Sequence, residues 1–410
     1  MHLLVVTPDF PPLGSPQAYQ SVRLVKALAL AGCEVTVIAG MAVGARKEFH
    51  HASETYDGLP SAVVVRRFEG SNFPSSTLGR RAYRYFMPSD PNCQYWPLRQ
   101  CLRWAAATLK IDGIISVAEP LVSHLAVQKT QFPYRVPFRC FWFSDPVPMS
   151  ADAMKFKWRR SRCEAICRTA LQTGNYIVGV TTEIVDPIMR LDPFSSAECM
   201  VLPHVYDSDD WPRPVGCAID SVSTDKVIRI THTGALYWKR TPFSLIEGVR
   251  LLKRERQDLP IELILLGGIA DETAARLAEI QAPCPIKLGG VKSYSESKAV
   301  ISDADILCVI DVDLEHNIHL PSKVADYVGA RKPILYIGLP NSPVVRALEG
   351  HPVFAQAHTP AEVAAALKYL INRRRYAGVE KYEIICNKFN LKTAYGILID
   401  KIYKNHEHHY

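Results

Sequence analysis

Short β-branched, apolar runs alternate with helix-patterned stretches almost from end to end of this 410-residue chain. In the first half "LLVVT", "EVTVIA", "AVVVRRF", "GIISV", "PFRCFWF" and "NYIVGV" read as strands, with helical stretches that include Gln17–Ala31 and Ala151–Thr173. A second series runs "VIRITH", "IELILLGG", "PIKLGG", "DILCVI" and "PILYIG". Its helices fall near Phe243–Glu255, Glu272–Ile280, Glu296–Ile301 and Pro360–Asn372, with Leu391–Lys404 last. Such alternation predicts parallel sheets with crossover helices, an α/β fold of two tandem Rossmann-like, doubly wound domains. Between the series, "LPHVYDSDDWPRPVGCAIDSVSTDK" lapses into Pro, Asp, Ser and Gly, which marks a boundary. The expected domains are 1–203 and 204–388, with 389–410 a trailing helix and tail. Ligands of such sheets bind beyond the carboxyl ends of the strands, so the loops there carry the chemistry.

Composition narrows the function classes. The chain is 48% hydrophobic and 22% charged, and no apolar run reaches the ~18 residues of a membrane span. The opening "MHLLVVTPDFPPLGS" reads as a first strand rather than a signal peptide. Eleven cysteines without CxxC spacing predict free thiols in a reducing compartment, hence a cytoplasmic protein. Cys163 and Cys167, one helical turn apart, lack a neighbouring His and read as half-buried thiols, and the tail "HEHHY" reads as a frayed terminus. The net charge of +7 suits anionic ligands or an anionic membrane surface; nothing resembles a nucleic-acid motif, so that partner class is set aside.

Four loops draw attention. After the first strand, Gly14 and Ser15 precede a helix, where a Gly permits close approach of a ligand and exposed N–H groups favour anions. That turn is not GxGxxG, which counts against a nicotinamide enzyme. In "ITHTGALYWKRTPFSLIEG", Thr233 and Gly234 make a tight turn, and the cations Lys239 and Arg240 lie just before the next helix, a pattern that can grip a diphosphate. "DVD", Asp311 to Asp313, reads as an acidic loop in preference to a metal site. In "HLPSKVADYVGARKPILYIG", Pro321 suits a first helical turn, Ser322 a capping role, and Gly329 and Pro333 the helix end. Lys323 and Asp326 then lie one turn apart, and an ordinary surface pair is the bland alternative to a ligand site.

The segments "HTGALYWKRTPFSLIEGVRLL", "IELILLGG", "IKLGGVKSYSE" and "LPSKVADYVGARKPIL", in that order, resemble the donor-binding half of GT-B glycosyltransferases, specifically the large retaining family four. "PDFPPLGS", "GCEVTVIAG" and "VPFRCFWFSDP" resemble its first half. The resemblance implies a transferase that moves a sugar from a nucleoside diphosphate sugar to an acceptor hydroxyl, in glycan or polysaccharide biosynthesis, with retention and without cofactor or metal. It implies donor contacts at Gly14, Ser15, Thr233, Gly234, Gly267, Val291, His319, Ser322, Lys323 and Asp326, with Asp326 on the ribose and Val291 at the nucleobase. Catalytic roles fall to Lys239 and Arg240 on the diphosphate and to Glu119 and Asp145 on the acceptor side. It further implies a cleft between the domains, a hinge near Pro203–Asp225 and a last helix that crosses back to the first domain.

This chain departs from the pattern in two places. The first signature acid falls on Ile318, leaving Asn317 or His319 for the sugar, and the His of the family's His-Glu-Pro turn is Ala118. Two rival readings follow: a nucleotide-sugar epimerase on the same fold, or a degenerate protein that binds nucleotide sugar without turnover. A third is a basic docking module. "LGRRAYRYF" and "KFKWRRSR" mix cations with aromatics, a composition suited to peripheral contact with an anionic membrane bearing a lipid-linked acceptor, or to a plain solvated face.

Overall fold

A computed structural model describes residues 1–41, 58–69, 76–87, 94–118, 120–147, 156–212, 226–312, 318–372 and 379–407. The chain divides into two compact units, Met1–Pro203 together with Leu391–Tyr410, and His204–Asn390.

The first unit holds a seven-stranded sheet: β1 (His2–Thr7), β2 (Glu34–Met41), β3 (Val63–Glu69), β4 (Gly113–Ala118), β5 (Phe138–Phe143), β6 (Tyr176–Gly179) and β7 (Glu198–Val201). The strand order is β3-β2-β1-β4-β5-β6-β7, every described pairing parallel. Leu3 sits opposite both Val35 and Gly113, so β1 is central. The apolar strands are buried on both faces because crossover helices cover them. Among these are Pro16–Leu30, Tyr95–Thr108 and Lys157–Thr173. The chain's final helices, Leu391–Ala394 and Gly396–Glu407, complete this unit. Tyr395 meets Trp142 edge-on at 5.5 Å, Tyr403 donates to the Ala31 carbonyl, and Asn405 donates to the Tyr176 hydroxyl at 2.8 Å.

The second unit holds a six-stranded parallel sheet in the order β10-β9-β8-β11-β12-β13: β8 (Ile228–Thr233), β9 (Ile261–Leu266), β10 (Ile286–Gly290), β11 (Ile306–Ile310), β12 (Ile334–Ile337) and β13 (Phe354–Ala357). Helices Phe243–Glu255, Asp271–Glu279, Tyr294–Ser302, Lys323–Gly329 and Pro360–Asn372 connect and cover it. The strand order turns at β1/β4 and at β8/β11, the switch points where such sheets take ligands.

Two strands escape the sequence pattern, β7 ("ECMV") and β13 ("FAQA"). Both are four-residue edge strands with mostly exposed or half-buried side chains, so neither needs an apolar run. The helix expected over Ala151–Thr173 is described from Lys157, and residues 151–155 lie outside the described residues. The expected hinge is described only to residue 212. Ser322 is a correction: it occupies the N-cap position of Lys323–Gly329 with helical φ and ψ of −58° and −29° and makes no side-chain cap. With its backbone already in the helical region, the hydroxyl is not aimed at the first free N–H groups.

Candidate functional site

The carboxyl end of β8 organises the site. His232 is buried there, with Nδ1 at 2.9 Å from the Cys308 carbonyl of β11. The Thr233 amide donates to the Tyr327 hydroxyl at 2.9 Å, and the Thr233 hydroxyl lies 3.1 Å from the same oxygen. Tyr327 thereby ties the helix Lys323–Gly329 to the strand end, and Lys323, one turn earlier, reaches over Gly234. Gly234 has φ +122°, and a Cβ there would stand 2.3 Å from Lys323 Nζ. Gly267, just after β9 at φ +131°, packs so tightly that a Cβ would stand 2.5 Å from the Gly234 backbone. Only glycine fits either position.

Arg240 enters from the loop after β8, its amide closing a turn on the Tyr237 carbonyl at 2.9 Å and its guanidinium over the Tyr237 ring at 5.3 Å. Arg240 Nη2 lies 3.6 Å from Asp311 Oδ1, an ion pair too long to be a hydrogen bond. Asp311 is fully buried and accepts from the Val312 amide at 2.8 Å and from the Tyr336 hydroxyl at 3.0 Å. Lys323 as a whole is half-buried, yet its Nζ is sealed from solvent and has no hydrogen-bond partner among the described residues; Arg240 Nε and His232 Nε2 share that condition. Burial, then the neighbouring Arg240, lower the Lys323 ammonium to about 7, against the raising effect of Asp311. Burial likewise holds His232 far below the usual imidazole range, so it is neutral. Neutral His232, its Nδ1–H given to the Cys308 carbonyl, leaves Nε2 as an acceptor, whereas Lys323 Nζ and Arg240 Nε are unsatisfied buried donors; these are costly, and an anion that satisfies them is favoured accordingly.

The expected donor residues therefore divide. Thr233, Gly234, Gly267, Arg240 and Lys323 come together. Lys239 does not: it is exposed, 5.7 Å over the ring of Trp238, itself 64% exposed with left-handed φ of 52°. Asp326 turns to other partners than Lys323, accepting from the Tyr294 hydroxyl at 2.9 Å. That hydroxyl also lies 3.1 Å from Asp210, which Lys298 pairs at 2.7 Å. Val291, His319 and Ser322 are half-buried, Val291 just beyond β10. In the first unit Ser15 caps the helix Pro16–Leu30 by accepting from the Ala18 amide at 3.1 Å and donates to Asp9 at 2.8 Å; Gly14 beside it and Asp145 beyond β5 are half-buried. Glu119, Asp313 and Asn317 lie outside the described residues. Asp311, expected in an acidic loop, is a buried ion-pair partner at the end of β11, and no cluster of three His, Cys, Asp or Glu among the described residues could hold a metal.

Sequence reasoning missed Tyr294, Tyr327 and Tyr336. Tyr327 and Tyr336 sit in apolar helix and strand patterns that explain them as core, Tyr294 opens a polar helix that gives no signal, and only the fold brings each hydroxyl to a site residue.

No protein-family model and no curated protein matches this chain. Solved structures do. It is similar to a sucrose-phosphate synthase from Thermosynechococcus elongatus, at TM-score 0.66 and 12% identity over 100% of both chains. It is similar to Anabaena HepE in complex with UDP and glucose, at TM-score 0.63 and 13% identity over 98% of this chain and 100% of that one. A third likeness is to WaaG, a glycosyltransferase involved in lipopolysaccharide biosynthesis, at TM-score 0.60 and 11% identity over 98% and 99%. At such identities the likeness is one of fold, and the fold is that of the GT-B glycosyltransferases, two Rossmann-like α/β units.

Proposed function

We propose that this protein is a glycosyltransferase of the retaining family-four type, which moves a sugar from a nucleoside diphosphate sugar to an acceptor hydroxyl. The observation that carries the reading is the convergence of Arg240 and the unpartnered Lys323 Nζ on the Gly234 turn at a sheet switch point. The fold is one used by glycosyltransferases, and one similar structure holds UDP and glucose. As the bond between the sugar and the leaving diphosphate breaks, negative charge builds on the phosphate oxygens. Arg240 and Lys323 stabilise that charge, each charge-assisted hydrogen bond contributing about 1.5–3 kcal/mol. Asp326 would accept from the ribose hydroxyls, and Val291 would border the base. Lys239, out in solvent, would steer the anion inward rather than hold it.

Acceptor recognition is assigned to the first unit, with Asp145 and Glu119 as its polar groups. None of the nine described cysteines is in a disulfide, which fits the reducing cytoplasm. No described helix is long and apolar enough to cross a membrane, and the basic helix Lys157–Thr173 is the surface we assign to an anionic membrane with a lipid-linked acceptor. Ile318 and Ala118, standing where the family pattern has an acid and a His, favour the second reading, a nucleotide-sugar binder without turnover.

Incubating the purified chain with a panel of nucleotide sugars separates these readings. Slow acceptor-free release of free nucleotide supports the transferase, an isomerised donor an epimerase, and saturable binding without turnover the binder. No binding of any nucleotide sugar would remove the donor site altogether.

A further inference from the structure

A carboxylate stands beside the two cations of the site. Asp311 is held by its own sheet: the Val312 amide donates to Oδ1 and the Tyr336 hydroxyl of β12 to Oδ2. Arg240 Nη2 lies 3.6 Å from Oδ1, and the side chain of Arg240 is itself only 14% exposed. The groups that face Lys323 Nζ come from every neighbouring element. They are His232 of β8, Arg240 of the following loop, and Cys308 and Asp311 around the end of β11, with Tyr327 one turn further along its own helix. Burial keeps His232 neutral and pushes the Cys308 thiol and Tyr327 phenol up, so both stay protonated. Asp311 is the foremost influence holding a proton on Lys323, against burial and Arg240.

We propose that Asp311 is the positioning residue of this cradle: it fixes the Arg240 guanidinium and supplies the negative charge that lets Lys323 be protonated when a diphosphate enters. The inference rests on the donor-site reading. Lys323 is lowered to about 7 in the folded chain, and an arriving diphosphate adds negative charge that raises it again. Binding above pH 7 therefore takes up a proton. Affinity is greatest below pH 7 and falls about tenfold per pH unit above it, until the raised value in the complex is passed. Without the Asp311 charge, Lys323 drops further and the fall begins at lower pH. A merely structural role would lower affinity without moving that midpoint.

The test is a pH series of binding constants from pH 5 to 9 by calorimetry on the full chain. UDP-glucose, GDP-mannose, ADP-glucose and dTDP-glucose serve as probes, because their diphosphate diesters do not titrate in that range. For whichever binds tightest, Asp311→Asn is expected to lower affinity about tenfold at pH 6 and to move the midpoint down by about one unit. Tyr336→Phe removes a single hydroxyl and guards against a folding failure of the first variant; it keeps the Asp311 charge but strips a donor from it, so the midpoint should hold or rise by up to about half a unit. If the wild type shows the pH-dependent fall and Asp311→Asn keeps its midpoint, or Tyr336→Phe lowers it, the positioning role is overturned while the donor site stands. If no probe binds the wild type at any pH, the donor site falls and this inference with it.

Discussion

The two sheets begin alike and finish their first turn differently. β1 and β8 hold equivalent places, each flanked by the next strand of its series and by the strand after the crossover. In the first unit the turn closes on itself. Ser15 caps its helix and bonds Asp9, whose carbonyl accepts from the Thr7 hydroxyl at 3.0 Å. In the second unit the turn at Gly234 ends against donors left without partners, and the helix Phe243–Glu255 begins at Pro242 without a side-chain cap. At this turn the first unit has spent its polar groups on its own closure, whereas the second has kept donors for a ligand.

Gly267→Ala should break this contrast most severely. A Cβ 2.5 Å from the Gly234 backbone, at φ +131°, combines left-handed strain with overpacking. The expected cost is about 3–5 kcal/mol in chemical denaturation, together with loss of nucleotide binding. Unchanged stability would mean that the turn is loose.

Lys323→Met separates stability from binding. Nucleotide-sugar affinity should fall about a hundredfold, while the ligand-free protein gains on the order of 2–5 kcal/mol at pH 7. The sign follows from proton counting. Lys323 is lowered in the folded chain to about 7 from 10.5, so between those values the unfolded chain binds the extra proton. Raising the pH through that window therefore stabilises the wild type, and the advantage of the variant should shrink up to about pH 10.5. Denaturation at pH 7 and pH 10 reads the difference, and a gap that stays constant counts against a buried lysine. In the first unit, Ser15→Ala should cost about 1 kcal/mol, the usual worth of an N-cap; an unmoved denaturation midpoint would show that the turn does not depend on its own closure.

The parallel sheets were legible in the alternation of runs such as "GIISV" and "DILCVI", since buried strands need continuous apolar residues whatever their partners. "ECMV" and "FAQA" were not, because edge strands have one neighbour and relaxed composition. For the site, glycines and cations could be read from turn chemistry and spacing. What could not be read was direction: Lys323 and Asp326 share a helical turn, yet one amine reaches over Gly234 and the other side chain meets Tyr294. Burial of Asp311 depends on β12 lying beside β11, a long-range pairing that no local pattern around "DVD" encodes.

The smallest expected effect tests the same point within one dipeptide. Lys239 and Arg240 are adjacent and of like charge, and in sequence they are interchangeable members of a diphosphate clamp. In the fold Arg240 is nearly buried beside Asp311, whereas Lys239 lies over Trp238 in solvent. A buried charge acts through short, weakly screened contacts, and an exposed one through a field that salt erases within about 10 Å at 0.1 M. Arg240→Ala should therefore weaken nucleotide-sugar binding at least tenfold at any ionic strength. Lys239→Ala should weaken it no more than about threefold at low salt and not measurably at 0.5 M salt. Titrations of both variants at two salt concentrations decide the matter, and a large, salt-independent loss on Lys239→Ala would show that the ligand reaches out to the solvated cation.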